Sequence, residues 1–451
     1  MSGRNRLSSR RDFLKYTAAG LVGTCGIPCI VPASVLGAGA PSNRINVGCI
    51  GNGNMGFTDL QGLMHQDDSR IVAVCDVNRG SYGYKTATQF RGREPARKLV
   101  NDYYAKSKRS GTYAGCDAYS DFRELLARDD IDAVSVTTPD HWHAIPTIMA
   151  AQAGKHIYCQ KPLSLTITEG RAMVEAVRRH RIILQTGSQH RSKDTTRLAC
   201  ELVRNGRIGR VERVLTSLGR HGLRVDIDTW QPTAVPDGFD YDMWLGPAPA
   251  VPHHTSRCFY TFRFVQDYSG GETTNTGAHK FDIAQWGLGT ELTGPVEVED
   301  LGSEFPKTGL FDTVSTIHFR ARYANGVELI CTPSGVSGAV RFEGTDGSVH
   351  VDWNSIRTEP ESLATTTIGP NEVHLYESRD HKRNFLDSIR SGRDPIAPVE
   401  VGHRSASICH LANIAMKLRR RLRWDPDKER FHDDDQANRL LSKPLRAPWH
   451  L

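Results

Sequence analysis

Two short stretches of the chain hold side chains that could move protons. In "YCQKPLSLT", residues 158–166, an apolar run ends in Gln160 and Lys161, and Pro162 then stiffens the turn. A lysine there can exchange a proton with a reacting hydroxyl, or hold an oxygen on which negative charge develops. In "GGETTNTGAHKFDIAQWGLG", residues 270–289, Asn275, His279 and Asp282 stand at i, i+4 and i+7. That spacing puts them on one face of a helix, beside Phe281 and Trp286. The triplet reads as a catalytic face; a capping amide plus a buried, hydrogen-bonded histidine accounts for it equally well.

The first stretch needs a strand to carry it, and the residues before it predict one. "RINVGCIGNGNMG", residues 44–56, is an apolar strand running into Gly51-Asn52-Gly53-Asn54-Met55-Gly56. These glycines allow a tight turn, close backbone approach to a pyrophosphate and helix–strand packing, and the next helix aims its N-terminal amides at the phosphates. A second strand, "RIVAVCDV", ends near Asp76, twenty residues after the third glycine. An acid at that distance binds the adenosine ribose and repels a 2′-phosphate, which favours NAD; Asn78 and Arg79 leave NADP possible. Helix–strand units then repeat to "RHRIILQTG", with residues 80–118 as a polar insertion of helical potential. The prediction is an α/β fold: a Rossmann, doubly wound parallel sheet over residues 41–187. Ligands collect at the carboxyl ends of such strands. Thr138, Pro139 and His143 mark one end, Gln160 and Lys161 the next, Gln189 and Arg191 a third.

From residue 188 the rhythm changes. A helix at 194–205 leads to strands near 211–219, 296–301, 313–322, 326–332 and 347–352, with helices near 380–391 and 402–421. This predicts an α+β domain, 188–451, whose mainly antiparallel sheet covers the cofactor site. The aromatic loops between about 220 and 270 would form the substrate pocket. An open sheet of this kind often pairs with a second copy, so a homo-oligomer is expected.

Composition narrows the function. A length of 451 residues fits two domains plus appendages, and 38% hydrophobic with 24% charged residues is ordinary for a globular chain. The formal charge of +6 comes without a basic, aromatic-laced stripe, which argues against nucleic acid. No His/Cys/Asp/Glu set has metal spacing. The ten cysteines are scattered singly and read as free, buried thiols. At the N-terminus, Ser9-Arg10-Arg11-Asp12-Phe13-Leu14-Lys15 is a twin-arginine pattern, followed by a Gly- and Ala-rich run to Ala40. Glycines and prolines interrupt that run, so residues 1–40 read as an export signal, not a stable membrane span. Export to the periplasm or cell envelope is the expectation.

These motifs, with "WLGPAP" (244–249) and "APVEVGHRSA" (397–406), resemble the Gfo/Idh/MocA oxidoreductases, and among them the long, often exported branch. The similarity runs from Ile45 nearly to the end. It implies hydride transfer between a nicotinamide and a hydroxyl of a sugar, sugar derivative or cyclitol. It also implies Lys161 near the reacting hydroxyl, His279 as its partner in proton transfer, and Asn275 beside them. Gln189, Arg191, Asp282 and His403 are the candidate substrate contacts, although His403 serves equally as a residue holding the C-terminal helix. Two positions depart from the family pattern: Gln160 replaces a glutamate, and Asn275 an aspartate. Loss of two carboxylates disfavours the protonated forms of Lys161 and His279, which would leave both as neutral bases; the bland outcome is a site that only binds. The family also contains NAD-recycling glycoside hydrolases, which is the alternative activity, and a cofactor-bound sugar-binding protein without turnover is a third.

Overall fold

The first sheet has six strands: β1 (Ile45–Ile50), β2 (Ser69–Cys75), β3 (Asp117–Tyr119), β4 (Ala133–Val136), β5 (His156–Cys159) and β6 (Leu184–Thr186). All its pairs are parallel, in the order β3-β2-β1-β4-β5-β6. The order reverses between β1 and β4, so a crevice opens past their carboxyl ends. Helices cover both faces, which is why the strands read as continuous apolar runs. In β2, Val72, Ala73 and Cys75 pack in one layer with Leu125 and Met173; Ile71 and Val74 pack in the other with Leu60, Leu63 and Phe385. This computed structural model describes residues 43–218, 230–336 and 340–451. The twin-arginine segment and part of the expected substrate loop lie outside the described residues.

The second sheet has nine strands: β7 (Val211–Ser217), β8 (Glu297–Asp300), β9 (Phe319–Arg322), β10 (Glu328–Thr332), β11 (Val340–Gly344), β12 (Ser348–Val351), β13 (Ile356–Glu359), β14 (Leu422–Asp425) and β15 (Arg430–Phe431). Their order is β13-β12-β11-β7-β10-β9-β8-β14-β15, and only the β7–β10 pair is parallel. One face buries Phe319, Leu329 and Phe342 against Phe281, Trp286 and Met416 of two helices, Gly277–Leu288 and Val399–Leu418. The other face carries ion pairs, Arg213–Glu343 at 2.5 Å, Arg320–Glu299 at 2.5 Å and Arg322–Glu297 at 2.9 Å. Alternation along each strand separates these two sets.

Several elements differ from the sequence expectation. Only 319–322 of the run 313–322 joins the sheet, because the amides of Asp312 and Thr313 are bonded to Phe264 O and tie the preceding segment to the aromatic loop. Strands β11, β13, β14 and β15 were not anticipated; each is short, with charged residues at alternate positions. The polar insertion contains a helix at Arg93–Ala105. The helix His381–Ser391 returns to the first sheet: Phe385 and Leu386 join its core, and Arg383 and Arg390 both pair with buried Asp68. All eight described cysteines are buried and free. No helix among the described residues is long and apolar enough to cross a membrane.

Candidate active site

Past the ends of β1, β4 and β5 lies a cleft of about 1180 Å³, counting its open mouth. Gly51, Gly53, Asn54, Met55 and Asp76 line one end; Thr138, Pro139, His143, Gln160, Lys161 and Asn275 line the rest. Gly51 has φ +85°, and a Cβ there would lie 2.6 Å from the Thr137 backbone. A Cβ on Gly56 would lie 2.1 Å from Gly51 O, so that glycine lets the helix Asn54–Met64 close against the loop. Both oxygens of Asp76 accept backbone N–H groups, from Asn52 at 2.6 Å and Asn78 at 2.8 Å. Burial pushes its carboxyl up to about 6 against the pull of those two amides. Asn52 turns its side chain inward, donating to Cys75 O at 2.9 Å, and stands outside the cleft lining. Over the glycine loop, the Tyr84 ring rests against Phe259, and an aromatic cluster with Phe239, Trp244 and Tyr268 roofs the cleft. The residues fit a dinucleotide: a glycine cradle, free space at a helix N-terminus, and a buried Thr138 hydroxyl with no protein partner in the cleft wall.

Lys161 follows β5 and is placed from both sides. His143 sets its ring nitrogens 2.9 Å from Thr138 O and 2.7 Å from Pro162 O, stapling the loop after β4 to the Lys-Pro loop. After that loop, Thr166 and Glu169 form a capping box that starts the helix Ile167–Arg179. The Lys161 ammonium donates to Asn275 O at 3.0 Å and to Asn275 Oδ1 at 3.1 Å. Asn275 in turn donates from Nδ2 to both oxygens of Glu272, at 3.0 and 3.1 Å. On the other side, Gln160 donates from Nε2 to Asp59 Oδ2 at 2.8 Å, and Asp59 pairs with Lys382 at 2.5 Å. Each amide that replaces a family carboxylate is thus backed by a carboxylate to which it donates a hydrogen bond. Burial lowers the Lys161 ammonium to about 8, helped by the charge of Arg263 and opposed by Asp140 and Glu272. The causes of this lowering are burial and Arg263, not the two amides on which the sequence reading placed it.

His279 does not line the cleft with Asn275. The helix breaks at Thr276, and the imidazole faces His190 at 4.8 Å and Trp353 at 5.8 Å between ring centroids. Burial, then the charge of Lys161, pushes it well below its ordinary value, and its Nδ1 is buried without a partner. Arg191 and Asp282 hold each other: Nε and Nη2 donate at 2.8 and 2.9 Å, with both side chains buried and Ser405 Oγ donating to the same carboxylate. His403 lies 2.6 Å from Glu429 within an ionic cluster that includes Arg171 and Arg404. Neither pair, nor Gln189, lines the cleft. The sequence reading passed over Asp59, Glu272 and Arg263. Glu272 was accessible to it, three residues before Asn275 on the same helical turn. The others had no local signal.

The profile of an oxidoreductase family, GFO_IDH_MocA, NAD-binding Rossmann fold, matches residues 45–188, and that of its C-terminal alpha/beta domain matches 220–451. An alpha-N-acetylgalactosaminidase of Shewanella oneidensis is 30% identical over 191 residues, 42% of this chain and 35% of that protein. A glycosyl hydrolase family 109 protein of Shewanella baltica (strain OS185) is 28% identical over 230 residues, 48% of this chain and 43% of the relative. The chain therefore spans less than half the length of these curated relatives. Among solved structures, the WlbA dehydrogenase from Bordetella pertussis, in complex with NADH and UDP-GlcNAcA, superposes with a TM-score of 0.58 at 18% identity, covering 85% of this chain and 99% of that one. The aldose-aldose oxidoreductase from Caulobacter crescentus, complexed with glycerol, gives 0.57 at 18% identity over 84% and 99%. At such identities these two establish the shared fold.

Proposed function

Because the chain belongs to the Gfo/Idh/MocA oxidoreductase family, with its NAD-binding Rossmann domain, we propose that it oxidises a hydroxyl of a sugar, sugar derivative or cyclitol, with Lys161 as the base. A bound nicotinamide supplies the hydride acceptor. The observation that carries the reading is a half-buried lysine amine in the wall of the cofactor cleft, held by Asn275 and lowered to about 8. As the substrate carbinol is oxidised, the neutral amine takes the hydroxyl proton, and Asn275 holds the resulting ammonium through two oxygens. His279 stays neutral, outside the cleft lining, against His190 and Trp353.

The sign of the pH dependence follows. Only the amine form accepts a proton, so kcat/KM for oxidation should rise about tenfold per pH unit below about 8, then level off. Carbonyl reduction needs the ammonium and should stay level below about 8, then fall about tenfold per pH unit above it. Glu272→Gln removes a carboxylate that favours the ammonium and should move the limb downward. A limb that stays in place in that variant removes Lys161 from the role.

A second reading rests on the curated relatives, whose printed names are those of glycosidases. Here oxidation of a sugar hydroxyl acidifies the neighbouring C–H, the aglycone is eliminated, water adds, and the ketone is reduced again. Aglycone release without net NADH separates this from a dehydrogenase, which accumulates NADH from a free sugar. Neither signal, across a sugar panel, leaves a binding protein.

Two further parts of the reading concern the whole protein. The Arg10-Arg11 pair supports export through the twin-arginine pathway. Changing both to lysine should hold the protein in the cytoplasmic fraction while the wild type reaches the periplasm; identical distributions reject export. The open face of the nine-stranded sheet supports a homo-oligomer, which sedimentation equilibrium reads directly.

A further inference from the structure

Arg263 lines the cleft at the Lys161 end, together with Asp140, Ser269 and Asn275. Its guanidinium lies 3.8 Å over the Tyr260 ring, with Phe262 beyond at 5.4 Å. Its loop is anchored on both sides: Gly271 N donates to Arg263 O at 3.0 Å, and Asp312 N to Phe264 O at 3.1 Å. Nε is buried and has no hydrogen-bond partner. Among the described residues, no carboxylate pairs with this guanidinium. The nearby acid, Asp140, accepts the Ser269 hydroxyl at 2.5 Å and feels the charge of Arg263 through space, without a hydrogen bond to it. Several other arginines near the cleft and in the core are matched: Arg191 by Asp282, Arg171 by Glu400 and Glu429, Arg383 by Asp68.

A partly buried guanidinium with no carboxylate bonded to it keeps donors free for an anionic ligand. Arg263 also acts on Lys161, where its charge is the largest after burial itself in lowering the ammonium. An anion bound at Arg263 would therefore sit beside the reacting hydroxyl. The glycine cradle that suits a pyrophosphate is at the other end of the cleft, at Gly51 to Asn54. Tyr260 and Phe262 line the cleft beside the guanidinium, whose fork matches a carboxylate or phosphate in two-point contact.

We propose that Arg263 is a specificity-determining residue that receives an anionic group, a carboxylate or phosphate, carried by the sugar substrate. This rests on the reading of the cleft as a sugar oxidoreductase site, and it names the class of sugar: uronic or phosphorylated in preference to neutral.

The test is made on NADH-loaded protein by calorimetry, so that it does not depend on turnover. The probes are glucuronate against glucose, galacturonate against galactose, and glucose 6-phosphate. The expected result is that at least one anionic sugar binds about 30-fold more tightly than its neutral counterpart. Arg263→Gln should abolish that preference and leave the neutral sugar's Kd and the NADH Kd in place; Arg263→Lys should restore part of it. A wild type that binds no anionic sugar more tightly than the neutral one overturns the proposal. So does a loss in Arg263→Gln that falls on NADH, which would assign Arg263 to a cofactor phosphate, or equally on both sugars. If an anionic sugar binds through Arg263 while no NADH ever forms from it with NAD, the dehydrogenase reading fails and this one stands.

Discussion

Lys161→Met should lower kcat for hydroxyl oxidation by about 10³-fold, with the Kd for NAD changed by less than about twofold. Methionine fills the same volume, but it removes the amine and both bonds to Asn275. The glycine cradle is formed by other residues and should bind the cofactor as before. Lys161→Arg sharpens the result. A guanidinium keeps the positive charge and cannot give up its proton near neutral pH, so it serves as a hydrogen-bond donor but not as a base. Loss of activity in both variants, read from initial rates of NADH formation at saturating cofactor, is the expected outcome. An active Lys161→Arg enzyme would mean that position 161 only stabilises charge. Gln160→Glu is a poorer probe, because the new carboxylate would face Asp59 in a buried site, and one of the two would take up a proton.

The second large effect is on stability. Arg191→Leu should destabilise the fold by about 3–5 kcal/mol, because it leaves the Asp282 carboxylate buried and unpaired. Urea unfolding followed by tryptophan fluorescence measures this as a lower midpoint at unchanged slope. The double variant Arg191→Leu with Asp282→Leu should recover most of the loss, since breaking the pair costs more than replacing it with apolar side chains. The alternative role, contact with substrate, makes a different prediction. Arg191→Leu would then raise KM for the sugar and leave the unfolding midpoint where it was.

Local patterns in the chain sufficed for the cofactor domain. The apolar runs, the glycine spacing at 51, 53 and 56, and the acid at 76 are each set by neighbours a few residues apart, and β1, β2 and their crevice follow from them. The place of Lys161 at the end of β5 was legible for the same reason. Helical spacing was less reliable beyond residue 188. Asn275, His279 and Asp282 have the periodicity of one face, yet the break at Thr276 and the different neighbours of each send them to Lys161, to His190 and to Arg191.

What distinguishes a reacting group from a structural one is the charge opposite it, and that partner is distant in sequence. Gln160 and Asp59 are 101 residues apart, Arg191 and Asp282 are 91 apart, and Lys382 and Asp59 are 323 apart. No periodicity links positions so separated; only packing brings them together. The sequence by itself therefore determined the Rossmann sheet, the cofactor class, the family and the lysine at 161. Tertiary structure alone decided that the two neutral amides are each backed by a buried carboxylate, that Arg191 and Asp282 neutralise each other, and that Arg263 faces the cleft with no carboxylate bonded to it. The physical reason is that the Coulomb interaction of a buried side chain depends on distance through space, and the chain sets that distance only when it folds.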